Sequence, residues 1–203
     1  MTEKSARIIM AENRVKELHN GQFRKDGVTP YYTHPLAVAE LTAKYLWNAG
    51  CVCEREALII AALSHDLVED IPGFDLNGYV KSLYPSDRDY DSISEEVLKK
   101  TVLALTKNNK IKTRHGRDWD NYSRIVDCGA GAIIIKICDR IHNISDMVDG
   151  IEKPGLSLDY QRRYIAETFY LLGFFKDRSY TDAYAELLGK TLRAAKKLYN
   201  SGR

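Results

Sequence analysis

The chain has no long apolar run. Its longest apolar stretches, at 57–63 and 130–135, fall well short of the roughly 20 residues that span a bilayer. It has no excess of either charge: 30 Lys and Arg against 28 Asp and Glu leave a formal net charge of +2. That balance makes no case for a nucleic acid or a membrane surface as partner. Cysteines number only 4, and Cys51-Val52-Cys53 has no second pair to complete a zinc-binding spacing. Reduced thiols are therefore expected. The opening residues, Met1-Thr2-Glu3-Lys4-Ser5, lack a basic region feeding an apolar core, so no signal peptide is expected. Internal repeats, low-complexity segments and a linker long enough to divide domains are also missing. The expectation is one cytoplasmic domain over residues 1–203.

What is present is helical. Hydrophobic residues make up 44% and charged residues 29%, the balance of a globular protein. Helical periodicity predicts a first helix over 3–18, stopped by Asn20-Gly21. A loop over 22–30 follows. Thr33 reads as the N-cap of a helix opening at His34-Pro35. Glu54 opens a helix that runs through His65-Asp66 to Ile71-Pro72-Gly73. Further helices are predicted over 76–83, 94–105, 118–126, 130–148, 157–175 and 181–199. Residues 84–91 and the basic stretch 107–117 read as loops, and Pro154-Gly155 as a break. Ile133, Ile134, Ile135, Ile137 and Ile141 cover most of the circumference of the helix over 130–148, which makes it a buried central element.

The chemistry is carried by a few residues in apolar surroundings. His65-Asp66 lies where the apolar run from Ala61 turns acidic at Glu69-Asp70. His34 and Asp139 each stand in another apolar helix. Two imidazoles and two carboxylates form a donor set for a divalent metal. Carboxylates on apolar helices are costly unless a cation or donor compensates them. Four-residue spacing puts Glu69 on the face of His65 and Asp70 on the face of Asp66. Acidic residues at a helix C-terminal end oppose its dipole, which argues against a purely structural role. A cation makes nearby water more acidic, and an adjacent carboxylate can take the proton. Asn143 repeats the four-residue spacing after Asp139 as a neutral hydrogen-bonding group. Arg24 and Lys25 sit in the loop before His34, a fork and a point charge suited to phosphate. The basic run 107–117 is either a solvated loop or a lid over phosphates. His142 reads as a packing residue or a support for a ligand, and His19 and His115 carry no signal of their own.

These residues resemble a known family. His34, His65-Asp66 and Asp139 look like the metal ligands of the HD superfamily of metal-dependent phosphohydrolases. The strings Gly21-Gln22-Phe23-Arg24-Lys25-Asp26-Gly27, Tyr31-Tyr32-Thr33-His34-Pro35-Leu36, His65-Asp66-Leu67-Val68-Glu69-Asp70 and Lys136-Ile137-Cys138-Asp139-Arg140-Ile141-His142-Asn143 narrow it to the hydrolase domain of the RelA/SpoT family. Leu67 and Ser64 depart from that pattern. The chain leaves no room for the family's synthetase domain, so it is similar to the small alarmone hydrolases. The resemblance implies an all-α HD-domain bundle of about eight to ten helices. It implies one manganese ion on His34, His65, Asp66 and Asp139, with Glu69 and Asp70 handling water. It implies Arg24, Lys25 and Asn143 as nucleotide contacts. The reaction implied is release of the 3′-pyrophosphate of guanosine tetra- or pentaphosphate, leaving GDP or GTP. Two other classes stay open: an HD-type phosphatase acting on another phosphorylated nucleotide or NADPH, and a non-catalytic nucleotide-binding module. Nothing in the sequence speaks to oligomeric state.

Overall fold

A computed structural model describes residues 4–46, 52–85, 89–149, 156–177 and 181–201. Among the described residues the architecture is all-α, with ten helices: α1 Ala6–Leu18, α2 Thr33–Tyr45, α3 Val52–Ser64, α4 Leu67–Asp70, α5 Leu76–Leu83, α6 Asp89–Leu105, α7 Arg114–Cys128, α8 Ala130–Asp149, α9 Leu158–Phe175 and α10 Thr181–Ser201. The sole extended pairing described is an isolated antiparallel bridge between Phe23 and Pro30, which pinches the loop ahead of α2.

Two helices organise the core. α3 lies against α1, α2 and α6, and α8 lies against α2, α7 and α10. The isoleucines that wrap α8 are all buried, as their spread around the helix requires. A single residue, Gly129, joins α7 to α8. Its φ of +114° is a conformation an L side chain rarely adopts, so this corner needs glycine. Gly21, at φ +79°, likewise turns the chain after α1.

Several sequence expectations shift. Thr33 is the first residue of α2, and its hydroxyl donates to the Pro30 carbonyl at 2.7 Å instead of capping the helix. α6 starts at Asp89, so the loop expected over 84–91 is shorter. α7 takes in Arg114–Cys128, because Thr113 caps it by accepting from the Gly116 N–H. The basic stretch is thus half loop and half helix. The Pro154-Gly155 break and Cys51 lie outside the described residues. Cys128 and Cys138 are free thiols. No described helix is long and apolar enough to cross a membrane.

The largest correction concerns the acidic doublet. No single helix carries it: α3 ends at Ser64, and α4 starts at Leu67. The His65 ring donates through Nδ1 to the Ala62 carbonyl at 2.8 Å, and Ser64 Oγ donates to the Ile60 carbonyl at 2.8 Å. Side chains that compete for helix carbonyls in this way bend or end a helix. Ser64 is held further by the Tyr79 hydroxyl at 2.9 Å, a contact leucine could not make. Asp66 therefore stands just ahead of a single helical turn and Glu69 and Asp70 close it, so none of them lies at the C-terminal end of a long helix. The Asp70 N–H still donates to the Asp66 carbonyl at 2.8 Å, which preserves the spacing of that pair.

Candidate metal centre

Three parts of the fold converge here: the first turn of α2, the α3–α4 junction and the middle of α8. They bring together His34, His65, Asp66 and Asp139. His34 Nε2 is 3.3 Å from Asp139 Oδ1 and 3.7 Å from Asp66 Oδ2. His65 Nε2 is 3.0 Å from Asp66 Oδ2. One ligand atom each from His34, His65 and Asp139 lie within 4.8 Å of one another, and all three residues are buried.

The hydrogen-bond network leaves the right atoms bare. His65 donates through Nδ1 to Ala62, so Nε2 is the ring nitrogen left to face the cluster. That nitrogen is buried without a hydrogen-bond partner although Asp66 is close. Groups that approach yet do not bond, because they aim at a common point, fit a cation between them. Behind His34, Nδ1 meets His142 Nδ1 at 3.0 Å. Burial and the neighbouring His34 hold the His142 ring down to about 4, so it is neutral and accepts. His34 is then the donor at Nδ1 and turns Nε2 to the two aspartates, the support usual behind a metal-bound imidazole. His142 thus belongs behind a ligand, as its place after Asp139 suggests.

Electrostatics agree. Burial works against a charged His65, but the Asp66 and Asp139 carboxylates prevail and lift the ring to about 9, so the cluster attracts positive charge at Nε2, a proton that a bound cation would displace. Burial also opposes ionisation of the two aspartates, yet His65 and His34 beside Asp66, and Lys136 beside Asp139, hold both well below the usual carboxylate range. Buried carboxylates that remain ionised create the negative potential a divalent cation neutralises.

The remaining predicted residues surround this cluster unequally. Asn143 Nδ2 donates to Asp139 Oδ1 at 2.6 Å. Arg24 reaches Asn143 Oδ1 at 2.9 Å and Asp146 Oδ2 at 2.8 Å, so loop and helix meet at the centre's edge. Lys25 points elsewhere: it bonds the Tyr160 hydroxyl and lies 4.0 Å from that ring's centroid. Asp70 is pushed up by partial burial and by the Asp66 charge. Glu69 is exposed and accepts from the Lys107 backbone N–H at 2.6 Å. Sequence reasoning missed Tyr31, whose hydroxyl donates to Asp66 Oδ2 at 2.8 Å. It also missed Lys136, which donates to Asp139 Oδ2 at 3.0 Å. Lys136 offered a signal, since it stands three residues before Asp139 on the same helical face.

A family model described as "HD domain" matches residues 31–144. The chain belongs to the HD-domain family. The matched segment contains all four convergent residues and Glu69, Asp70 and Asn143, and it begins after Arg24 and Lys25. As an HD domain, the chain belongs to a metal-dependent family, and His34, His65 and Asp139 form a group that could hold a metal ion. Among curated proteins it is similar to a guanosine-3′,5′-bis(diphosphate) 3′-pyrophosphohydrolase of Haemophilus influenzae, at 30% identity over 158 residues. That alignment covers 75% of this chain and 20% of the relative. It is also 28% identical over 158 residues to the bifunctional (p)ppGpp synthase/hydrolase SpoT of Escherichia coli, covering 75% of this chain and 19% of that one. The HD chain thus spans about a fifth of the length of the curated relatives it matches. A solved structure of a metazoan ortholog of SpoT, described as hydrolysing ppGpp with a role in starvation responses, superposes with a TM-score of 0.72. It covers 95% of this chain and 98% of that one at 19% identity, a likeness of fold.

Proposed function

We propose that residues 1–203 form a single cytoplasmic HD phosphohydrolase domain that uses one manganese ion to hydrolyse the 3′-pyrophosphate of guanosine tetra- or pentaphosphate. The observation that carries the reading is the convergence of imidazole nitrogens and carboxylate oxygens inside the HD-matched segment. The names of the Haemophilus and Escherichia relatives support the substrate.

His34, His65, Asp66 and Asp139 would hold the ion. Bound there, it supplies Lewis acidity, making nearby water more acidic and offsetting phosphate charge. Nitrogen and hard oxygen ligands together suit manganese among the divalent metals. Asp70, raised by burial and by Asp66, is the proton acceptor, since a general base works best with its pKa closer to the working pH. Glu69 is steadied at one oxygen by the Lys107 amide, and its other oxygen orients the attacking water. The water oxygen bonds to the phosphorus attached to the ribose 3′-oxygen. That P–O bond breaks, the water's proton passes to Asp70, and that proton is returned to the leaving 3′-oxygen. GDP or GTP and intact pyrophosphate are the products. A panel of phosphorylated nucleotides and NADPH with Mn²⁺ in ¹⁸O-water tests this. Label in released pyrophosphate is expected; release of orthophosphate alone would move the reading to a phosphatase.

Arg24, at the edge of the centre, is the first nucleotide contact, and Lys25 would join it by leaving the Tyr160 ring. Arg24 is already oriented by Asn143 and Asp146, so little freedom is lost when it meets a ligand. Arg24→Ala is expected to raise KM by about tenfold or more, the scale of one charge-assisted contact. Metal content should stay unchanged. An unaltered KM with reduced metal content would make the loop a support for the metal centre instead.

A further inference from the structure

Lys107, Lys136 and Arg140 form a cationic cluster that the mechanism above does not use. Lys136 and Arg140 are one turn apart on α8, and Lys107 follows the end of α6. Lys136 Nζ is bound to Asp139, and Lys107 Nζ is 3.6 Å from Asp118 Oδ1. The Arg140 guanidinium lies 4.5 Å from the Tyr164 ring centroid and 3.5 Å from the Tyr122 hydroxyl. Arg140 is only 4% exposed, and its Nε and Nη1 are buried with no hydrogen-bond partner. Glu167 faces this region as well, but it is taken by Arg114 at 2.8 Å. Burial lowers the Lys107 pKa, and the charges of Lys136 and Arg140 lower it further, so the three cations feel one another. Like charges crowded into a buried region are costly unless an anion offsets them.

The helix register orients that anion. Lys136, Asp139 and Asn143 share one face of α8. Asn143, with Arg24 on it, lies on one side of Asp139, and Lys136 lies on the other. The span from Lys136 to Asn143 is about 10 Å along the helix. Lys107 feels the charge of Lys136, and its amide holds Glu69. A substrate lying along this face has its nucleoside at Arg24 and Asn143, its reacting phosphorus at Asp139, and its far phosphate at Lys136 and Lys107.

We propose that Lys107 and Lys136, backed by the buried charge of Arg140, form the subsite for the leaving pyrophosphate. Multiply charged pyrophosphate is the ligand chemistry, and the assignment rests on the hydrolase reading above. The lysines make the contacts. Arg140 acts through its field, which surroundings of low polarity barely damp.

The test is calorimetry on the manganese-loaded protein in constant free Mn²⁺, titrated with inorganic pyrophosphate and separately with GDP. Lys107→Met is the variant to use, because Lys107 is partly exposed and its loss spares the α8 core. Pyrophosphate affinity is expected to fall about tenfold or more, with GDP and manganese affinities unchanged, and Lys107→Arg is expected to restore most of it. The subsite is overturned if the wild-type protein does not bind pyrophosphate, or if Lys107→Met binds it equally well. It is overturned too if GDP affinity falls instead of, or together with, that of pyrophosphate. Failure of the hydrolase reading appears separately: wild-type protein that binds pyrophosphate through Lys107 but releases none from guanosine tetraphosphate keeps the subsite and loses the reaction.

Discussion

Glu69→Gln and Asp70→Asn, made singly, each lower turnover by about 10² or more, the usual scale of general acid–base catalysis. Each isostere keeps the shape of the side chain and removes its negative charge. The amide introduced by Glu69→Gln keeps an oxygen that can accept from the Lys107 N–H, so the tie between α4 and the segment after α6 survives. Manganese content and helical signal should match wild type, since neither residue belongs to the four convergent side chains. The pH profile adds a second reading. Asp70 is held above its ordinary value by burial and by Asp66, and it acts as a base only when deprotonated. The rate therefore falls as pH drops through that raised value. The acid limb of kcat/KM lies above the ordinary aspartate value, and Asp70→Asn removes it. Steady-state kinetics across pH, with metal analysis of each variant, are the measurement. Wild-type rates in both variants would reject these carboxylates as the water-handling pair.

His65→Ala is the other large effect. Its Nε2 is the buried nitrogen without a partner, so its loss removes a donor that no neighbour can replace. Deleting a residue that merely supports a ligand already costs about 10–100-fold in metal affinity, and deleting a ligand should cost at least the upper end of that range. Hydrolysis should fall with it. Titration of the metal-free variant with Mn²⁺, followed by the electron paramagnetic resonance of the free ion, reads affinity without reference to activity. A folding control is required, because the ring also bonds the Ala62 carbonyl at the α3–α4 junction. His65→Asn supplies it: an amide can keep a local backbone bond yet is a poor donor to the metal. Tight manganese binding by both variants would remove His65 from the centre.

Legibility of the site differed from residue to residue. His34, His65, Asp66 and Asp139 stood out because polar residues in apolar helices demand compensation, and the chain offers few histidines. α5 falls on its predicted bounds and α8 within one residue of them, because amphipathic or all-round apolar patterns report burial directly. The α3–α4 break did not show, because periodicity continues across it and the interruption comes from side chains bonding to carbonyls. Tyr31 was hidden for a related reason: its role lies in one hydroxyl bond to a residue 35 positions away.

The sequence by itself determined the helical class, the buried central helix and the residue types from which a metal centre is built, because these follow from local spacing and the cost of burying charge. Tertiary structure alone decided which atoms meet. Arg24 finds Asn143 across 119 residues, Glu69 finds the Lys107 amide across 38, and His34 finds His142 across 108. Such pairs depend on how α2, α4 and α8 pack and on the angles at which their side chains leave the helices. A one-dimensional pattern carries no record of those angles. The unpartnered His65 Nε2 of the candidate metal centre and the crowded cations beside it exist because packing placed some polar groups within reach of partners and left others without.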